Sequence, residues 1–504
     1  MRLNILIGGK AGQGINKISD IITNILNKEG YFTFNYRDYQ SLIRGGHNFN
    51  IVSISDGRVG SFESRLDGVV ALDDKTLEMH KNELKKNGFV VSFKGFEDLG
   101  RNVNIALAGA LIKVLGIDKK VLFDELREEL NVSGAETAAE KGYNSGKEKF
   151  KLKKLNNRIL SMTGTEGVVE GAINSGIDFY FAYPMTPATG VLHELAGKAE
   201  KNKFKVFLPE NEIAVVNMAL GASFAGKKVL IGTSGGGFDL MTEALSFQGQ
   251  SEIPLTVYLA SRPGPGTGVP TYTAQSDLDV ALRAGHGEFP RVVIAPGDPI
   301  ECIEKTNEAM YLAEKFNSLS IILSDKHLAE SEFSSDRKAN KTIKIEVKRK
   351  IPGKDIVKAS GYEHDEKGNM IESAEITKKN ADRRMKKYED IKKEAEKFEM
   401  IKIFGKKDSK NLVIGWGSTK TVILDAIKDL DFKFLQVLYL KPLSDEIKKE
   451  MEKAGKVVIV ETNVTGQLGR LIREKTGIKI ENRILKYDGR PFLCDELREE
   501  LMRI

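Results

Sequence analysis

Cysteine is nearly absent. Cys302 and Cys494 are the only two in 504 residues, and neither stands in a CxxC or CxxH spacing. This chain alone therefore cannot ligate a four-cysteine iron-sulfur cluster or build a cysteine-rich zinc site. Long apolar runs are missing as well: no segment approaches the ~18 consecutive apolar residues of a membrane span. The start, MRLNILIGGKAG, has no apolar stretch of signal-peptide length before its glycines, so a cytoplasmic protein is expected. A dominant charge is also lacking. The 77 basic residues nearly balance 71 acidic ones, and the net +6 carries no nucleic-acid signature, although it leaves room for a face that docks an acidic protein.

What remains is a soluble globular composition, 41% hydrophobic and 29% charged. At domains of roughly 100 to 200 residues, a chain this long holds about three. Residues 1–150 open with LNILIGGKAGQGINKISDIITNIL, a buried-strand pattern, a glycine turn and a helix with apolar Ile18, Ile21, Ile22 and Ile25 on one face. DGVVAL and GFVVSF follow as short strands, which makes a self-contained α/β domain. Across 158–333, DFYFAY, KKVLIGTS and PLTVYLA read as strands, and IAVVNMALGASFA and LMTEALSFQ as helices. That alternation implies parallel βαβ units whose loops gather at the carboxyl ends of the strands, where a site belongs. Residues 334–408 turn polar and charged, with DRRMKKYEDIKKEAEKFE as an exposed helix in a solvated spacer. From 409 to 504 a strand-rich α/β pattern returns.

Several stretches stand out against this background. Gly8, Gly9, Gly12 and Gly14 lie between a strand and a helix, where backbone amides suit phosphate. The spacing is not GxGxxG, and no acidic residue follows on a second strand end, so a tight structural turn is the expectation. Arg44 and His47 flank two glycines before a strand and read as a turn rather than a catalytic pair. In FAYPMTPATG, Pro184 and Pro187 bracket Thr186 between a strand and a helix and so hold one hydroxyl rigidly. Glu210 and Glu212 open a helix whose Ala219, Gly221, Ala222 and Ala225 allow close packing. Acidic residues suit a helix N-terminus, but a carboxylate on so closely packed a helix can also be buried and handle protons. GTSGGGFDLM can bring a ligand close to its backbone. SRPGPGTGVPTYTAQSDLDVAL either is a surface connection or pre-positions Arg262 and Thr271 as donors to a carboxylate.

Together these stretches resemble the alpha subunits of 2-oxoacid:ferredoxin oxidoreductases. YPMTP is similar to the family's Tyr-Pro-Ile-Thr-Pro, ENEIAVVNMALGASFAGKKVLIGTSGGG to its helix and glycine loop, and GPGTGVPTYTAQSDL with AGHGEFPRVVIAP to its substrate loop and the segment after it. VVIVETNVTGQLGRLIRE and KYDGRPF resemble its last domain, GYEHDEKGN resembles part of its connector, and the first domain resembles the family's gamma subunit, here fused ahead of alpha. The resemblance covers nearly the whole chain. It implies an α/β architecture: a gamma-type domain, a transketolase-like parallel-sheet domain binding the pyrimidine of thiamine diphosphate, and a transketolase-C-like domain.

The resemblance also implies roles. The catalytic carboxylate that hydrogen-bonds the pyrimidine ring nitrogen falls on Glu212 rather than Glu210, and Pro184, Met185 and Thr186 join Glu212 around the cofactor. The substrate carboxylate falls to Thr186, Arg262 and Thr271. The reaction implied is oxidative decarboxylation of a 2-oxoacid with coenzyme A, giving acyl-CoA, CO2 and reduced ferredoxin. No Gly-Asp-Gly segment with a downstream asparagine is present to hold magnesium diphosphate. Magnesium and the iron-sulfur cluster are thus expected in a beta subunit, no metal ligand is expected in this chain, and a dimer of heterodimers is expected. Met185 replaces an isoleucine at nearly the same volume. SGGGFD replaces Ser-Gly-Pro-Gly, and SRPGPGTG replaces Arg-Gly-Gly-Pro-Ser-Thr-Gly, which leaves the preferred acid open. An indolepyruvate or branched-chain 2-oxoacid member and a non-catalytic scaffold of the same fold are the alternatives.

Overall fold

The apolar run from Leu3 to Ile7 is buried throughout and forms the middle of strand Arg2–Lys10. The computed structural model of the chain describes residues 1–40, 45–129 and 134–504. Arg44 lies outside the described residues. Two compact units form: 1–162 with 331–337 and 492–503, and 163–330 with 338–491.

In the first unit seven strands make one mixed sheet, in the order Leu84–Ser92, Leu66–Ala71, Arg2–Lys10, His47–Ser55, Phe32–Asp38, Glu332–Ser335, Leu160–Thr163. Helix Ile15–Lys28 lays Ile18, Ile21, Ile22 and Ile25 into the core, the 3.6-residue period read from the sequence. The glycine cluster serves packing. A Cβ at Gly8 would sit 2.7 Å from Thr76 Cγ2, and one at Gly14, with φ +84°, would sit 2.3 Å from Asn104 Nδ2. His47 is buried, its Nε2 3.0 Å from His80 Nε2, and His80 Nδ1 lies 3.0 Å from Glu83 Oε2.

In the second unit six parallel strands run Arg291–Ile294, Leu319–Asp325, Leu255–Ser261, Val229–Thr233, Phe179–Ala182, Lys205–Phe207. Tyr439–Lys441 adds an antiparallel edge beside Arg291–Ile294. The inner strands are continuous hydrophobic runs because both faces are covered, as the fully buried Leu255–Ser261 shows. A second sheet orders Ile401–Gly405, Lys433–Val437, Asn411–Trp416, Lys456–Glu461, Asn482–Leu485, parallel except at Ile401–Gly405. One hydrophobic cluster joins the two sheets, from Val215, Val257 and Leu323 to Ile414, Trp416 and Leu468. The charged helix spans Ala374–Ala395, starting earlier than its charge pattern indicates because Ser373 caps it. It is not wholly solvated, since Ile391 and Ala395 are fully buried and Lys387 pairs with Glu252. Among the described residues no helix is long and apolar enough to cross a membrane.

His327, buried just after strand Leu319–Asp325, is pushed from the ordinary histidine value of 6.5 to about 3 by desolvation and by the Lys326 charge. As pH falls below the ordinary value, the unfolded chain takes up a proton that the folded chain refuses. Stability should then decline by about 1.4 kcal/mol per pH unit from this group. Denaturant titrations at neutral and mildly acidic pH should show that decline, and His327→Gln should flatten it. An equal slope in the variant would assign the acid sensitivity to other groups.

Candidate cofactor and substrate site

Three adjacent parallel strands, Phe179–Ala182, Val229–Thr233 and Leu255–Ser261, deliver the three unusual loops at their carboxyl ends. In open α/β sheets that edge is where ligands bind. Helix Glu212–Phe224 packs across the first two of these strands.

Glu212 is the first residue of that helix and only 3% exposed. Its neighbour Asn211 takes the capping role, accepting from Ala214 N at 2.9 Å. The Glu212 carboxylate is therefore not needed to satisfy the helix, and its Oε1 is buried with no hydrogen-bond partner within the chain. Glu210 is exposed. The space beside Glu212 depends on glycine: a Cβ at Gly237 would lie 2.6 Å from Glu212 Oε1 and 2.2 Å from Thr233 Oγ1. Any larger residue would fill the room in front of the carboxyl.

On the next loop Thr186 is half-buried, Met185 half-buried and Pro184 exposed. Arg262 Nη1 donates to the Thr186 carbonyl oxygen at 3.0 Å, so the loop after the first strand and the loop after the third are in direct contact. The Arg262 guanidinium has no carboxylate within 4.0 Å among the described residues, and partial burial lowers its pKa while Asp277 opposes that shift. A half-buried guanidinium with no carboxylate in contact can receive an anion, and a carboxylate matches its fork. Thr271 is buried further along the same loop, and no hydrogen bond joins it directly to Arg262.

Sequence reading passed over two polar groups here. Ser234, directly after strand Val229–Thr233, is buried with its hydroxyl unpartnered. Asp277 turns its carboxyl toward the glycine loop, where a Cβ at Gly235 would meet Oδ2 at 2.7 Å, and burial raises its pKa. Asp277 was readable only as a helix-start residue; its inward turn is a tertiary feature. Glu212 Oε1, Ser234 Oγ and Asp277 Oδ2 together leave unsatisfied buried polar atoms around three glycines. Buried polar groups are ordinarily paired, and this concentration fits a polar ligand. The donor set suits the pyrimidine of thiamine diphosphate, because an unpartnered carboxyl can bond a ring nitrogen and the glycine run leaves the approach open.

The family described as "Pyruvate flavodoxin/ferredoxin oxidoreductase, thiamine diP-bdg" matches residues 170–400, and "Pyruvate ferredoxin/flavodoxin oxidoreductase" matches residues 4–98. The 2-oxoacid:ferredoxin oxidoreductase subunit alpha of Sulfolobus sp is 31% identical over 613 aligned positions, covering 100% of this chain and 97% of the relative. The subunit alpha of enzyme 1 from Sulfurisphaera tokodaii is also 31% identical, with 100% and 98% covered. Among solved structures, the 2-oxoglutarate:ferredoxin oxidoreductase from Magnetococcus marinus, with 2-oxoglutarate, coenzyme A and succinyl-CoA bound, superposes with a TM-score of 0.88 at 25% identity over 99% of both chains. The chain thus belongs to the 2-oxoacid:ferredoxin oxidoreductase family, as a subunit of a multi-subunit oxidoreductase that contains its thiamine diphosphate-binding domain.

Proposed function

We propose that this chain supplies the pyrimidine side of the cofactor site and the substrate-carboxylate subsite of a cytoplasmic 2-oxoacid:ferredoxin oxidoreductase. The enzyme converts a 2-oxoacid and coenzyme A to acyl-CoA, CO2 and reduced ferredoxin. In this reading residues 158–333 are the pyrimidine-binding domain, 1–150 the gamma-type domain, 334–408 the connector and 409–504 the C-terminal domain. The observation that carries it is the unpartnered, buried Glu212 carboxyl facing Gly237.

When bound, thiamine diphosphate supplies the electron sink that decarboxylation of a 2-oxoacid requires. Glu212 would hydrogen-bond the pyrimidine ring nitrogen, in a low-dielectric setting where that bond is strong. Pro184, Met185 and Thr186 border the ring. Arg262 takes the substrate carboxylate, with the Thr186 and Thr271 hydroxyls as further donors, and the bond from Arg262 to the Thr186 carbonyl keeps the two loops in register. Orientation of this kind contributes several kcal/mol in favourable cases.

A beta subunit completes the enzyme, carrying the magnesium diphosphate contacts and the iron-sulfur cluster and passing electrons to ferredoxin, in a dimer of heterodimers. Support comes from the two buried cysteines and from apolar side chains left in solvent on the helix that begins with Glu212. Ile213 and Met218 are 49% and 44% exposed there, and Leu240 on the neighbouring glycine-loop helix is also exposed.

In the assembled enzyme, Glu212→Ala should lower kcat by about 10²- to 10⁴-fold while leaving the fold and subunit assembly intact. Viologen reduction by purified holoenzyme measures this, and wild-type turnover would sink the assignment. Arg262→Ala should raise KM for the 2-oxoacid by about 10- to 100-fold, the scale of a lost charge-assisted hydrogen bond, with a much smaller change in kcat. A panel of 2-oxoacids read by the same assay would find the preferred substrate, and an unchanged KM would move the carboxylate subsite elsewhere.

A further inference from the structure

Asp277 occupies the N-cap position of helix Leu278–Arg283, yet its side chain makes no capping hydrogen bond. Aspartate is among the best capping residues, so leaving the helix amides to another group needs a cause. The group that takes them lies far along the chain. Gln467 Oε1 accepts from Leu278 N at 3.0 Å and from Asp279 N at 3.3 Å, and its Nε2 donates to Ser276 O at 2.8 Å. With the Leu278 and Asp279 amides satisfied, the Asp277 carboxyl sits beside Gly235 near the Ser261 and Ser276 hydroxyls, and its Oδ2 is buried without a close hydrogen bond among the described residues.

Neighbouring residues reinforce the same junction. Gln275 Nε2 donates to Trp416 O at 2.7 Å, and Gln275 Oε1 accepts from Thr462 N at 3.0 Å. Asn463 Nδ2 donates to Gln275 O at 3.2 Å, while Asn463 Oδ1 accepts from the Gly466 and Gln467 amides at 2.8 and 3.2 Å. The end of the loop that carries Arg262 and Thr271 is thus gripped by the turn after strand Lys456–Glu461, in the five-stranded sheet. Toward the site, the Ser276 hydroxyl lies 3.3 Å from Arg262 O and 3.4 Å from Asp277 Oδ1, and Arg262 reaches Thr186.

We propose that Gln467 is a positioning residue for the 2-oxoacid carboxylate subsite: by capping helix Leu278–Arg283 in place of Asp277, it holds the Asp277 carboxyl beside the glycine loop and fixes the loop that aims Arg262. The proposal rests on the reading of Arg262 as the carboxylate-binding cation. Removing the Gln467 amide leaves two helix N–H groups open, and Asp277, the nearest acceptor, turns back to cap its own helix. The negative charge then leaves the glycine loop, and the Arg262 loop loses its anchor. Gln467 is a positioning residue whose effect on substrate binding passes through the Asp277 carboxyl and through Ser276, which it holds and which bonds Arg262 O.

The test uses the complete enzyme with its partner subunit. Gln467→Met keeps the side-chain volume and removes the amide; Gln467→Glu keeps an acceptor for both helix amides. The expected result is a KM for the preferred 2-oxoacid raised about tenfold in Gln467→Met, with kcat within about threefold and thiamine diphosphate retained, the scale of one or two lost hydrogen bonds. Gln467→Glu should restore most of that KM. Adding Gln467→Met to Asp277→Ala should raise KM by clearly less than the product of the two single changes, because part of the Gln467 effect passes through Asp277. Arg262→Ala measured alongside separates the two readings: if it leaves KM unchanged, the carboxylate subsite itself is wrong. A raised KM in Arg262→Ala with a wild-type KM in Gln467→Met would overturn the proposal alone. So would full additivity with Asp277→Ala, or failure of Gln467→Met to assemble, which would assign Gln467 to the fold.

Discussion

A carboxyl group buried without a partner is costly, and the Glu212 region is built to sustain one. Its place in the first turn of a helix offsets part of that cost through the local dipole. Asn211 caps the helix, so among the described residues nothing draws the Glu212 Oε1 away, and Gly237 leaves the space in front of it open. Asp277 is kept free in a parallel manner: a neutral amide, Gln467, satisfies the helix start, and the carboxyl turns inward. In both places an uncharged side chain does the structural work, and the acid is left to face the ligand space.

The parallel sheet explains why these groups converge. Loops from three neighbouring strands open at one edge, so Thr186, the 234–237 glycine turn and Arg262 are brought together by topology. The Arg262 guanidinium has no carboxylate within 4.0 Å among the described residues, whereas Lys420 and Lys402 in the same unit are closely paired. Glu301, fully buried, is paired with Lys420 at 2.6 Å and Lys402 at 3.2 Å, which holds its carboxyl well below the usual range.

Much of this was legible in the sequence because it is local. The period of Ile18, Ile21, Ile22 and Ile25 marks a helix, and continuous apolar runs mark buried parallel strands. The small residues after Glu212 are a poorer guide: Ala219 is buried, but Gly221 and Ala225 are exposed and a Cβ at Gly221 would meet nothing within 4 Å, so close packing of that stretch is not what buries the acid. The remainder is long-range. Nothing in Glu332–Ser335 announces that it pairs with Phe32–Asp38, and Tyr439–Lys441 gives no sign that it extends the sheet containing Arg291–Ile294. Asp277 and Gln467 escaped for the same reason. Their roles come from hydrogen bonds between residues about 190 positions apart, which no window of periodicity contains. The helix Ala374–Ala395 was readable as charged, but not as seated, because its buried residues, Ile391, Glu394 and Ala395, are few and confined to its C-terminal end.

The most direct measurement is an experimental structure of the assembled enzyme with thiamine diphosphate and a 2-oxoacid bound. The account predicts a Glu212 oxygen within hydrogen-bond distance of the pyrimidine ring nitrogen and the substrate carboxylate on Arg262. A pyrimidine bonded by another residue, with Glu212 paired to protein, would contradict it.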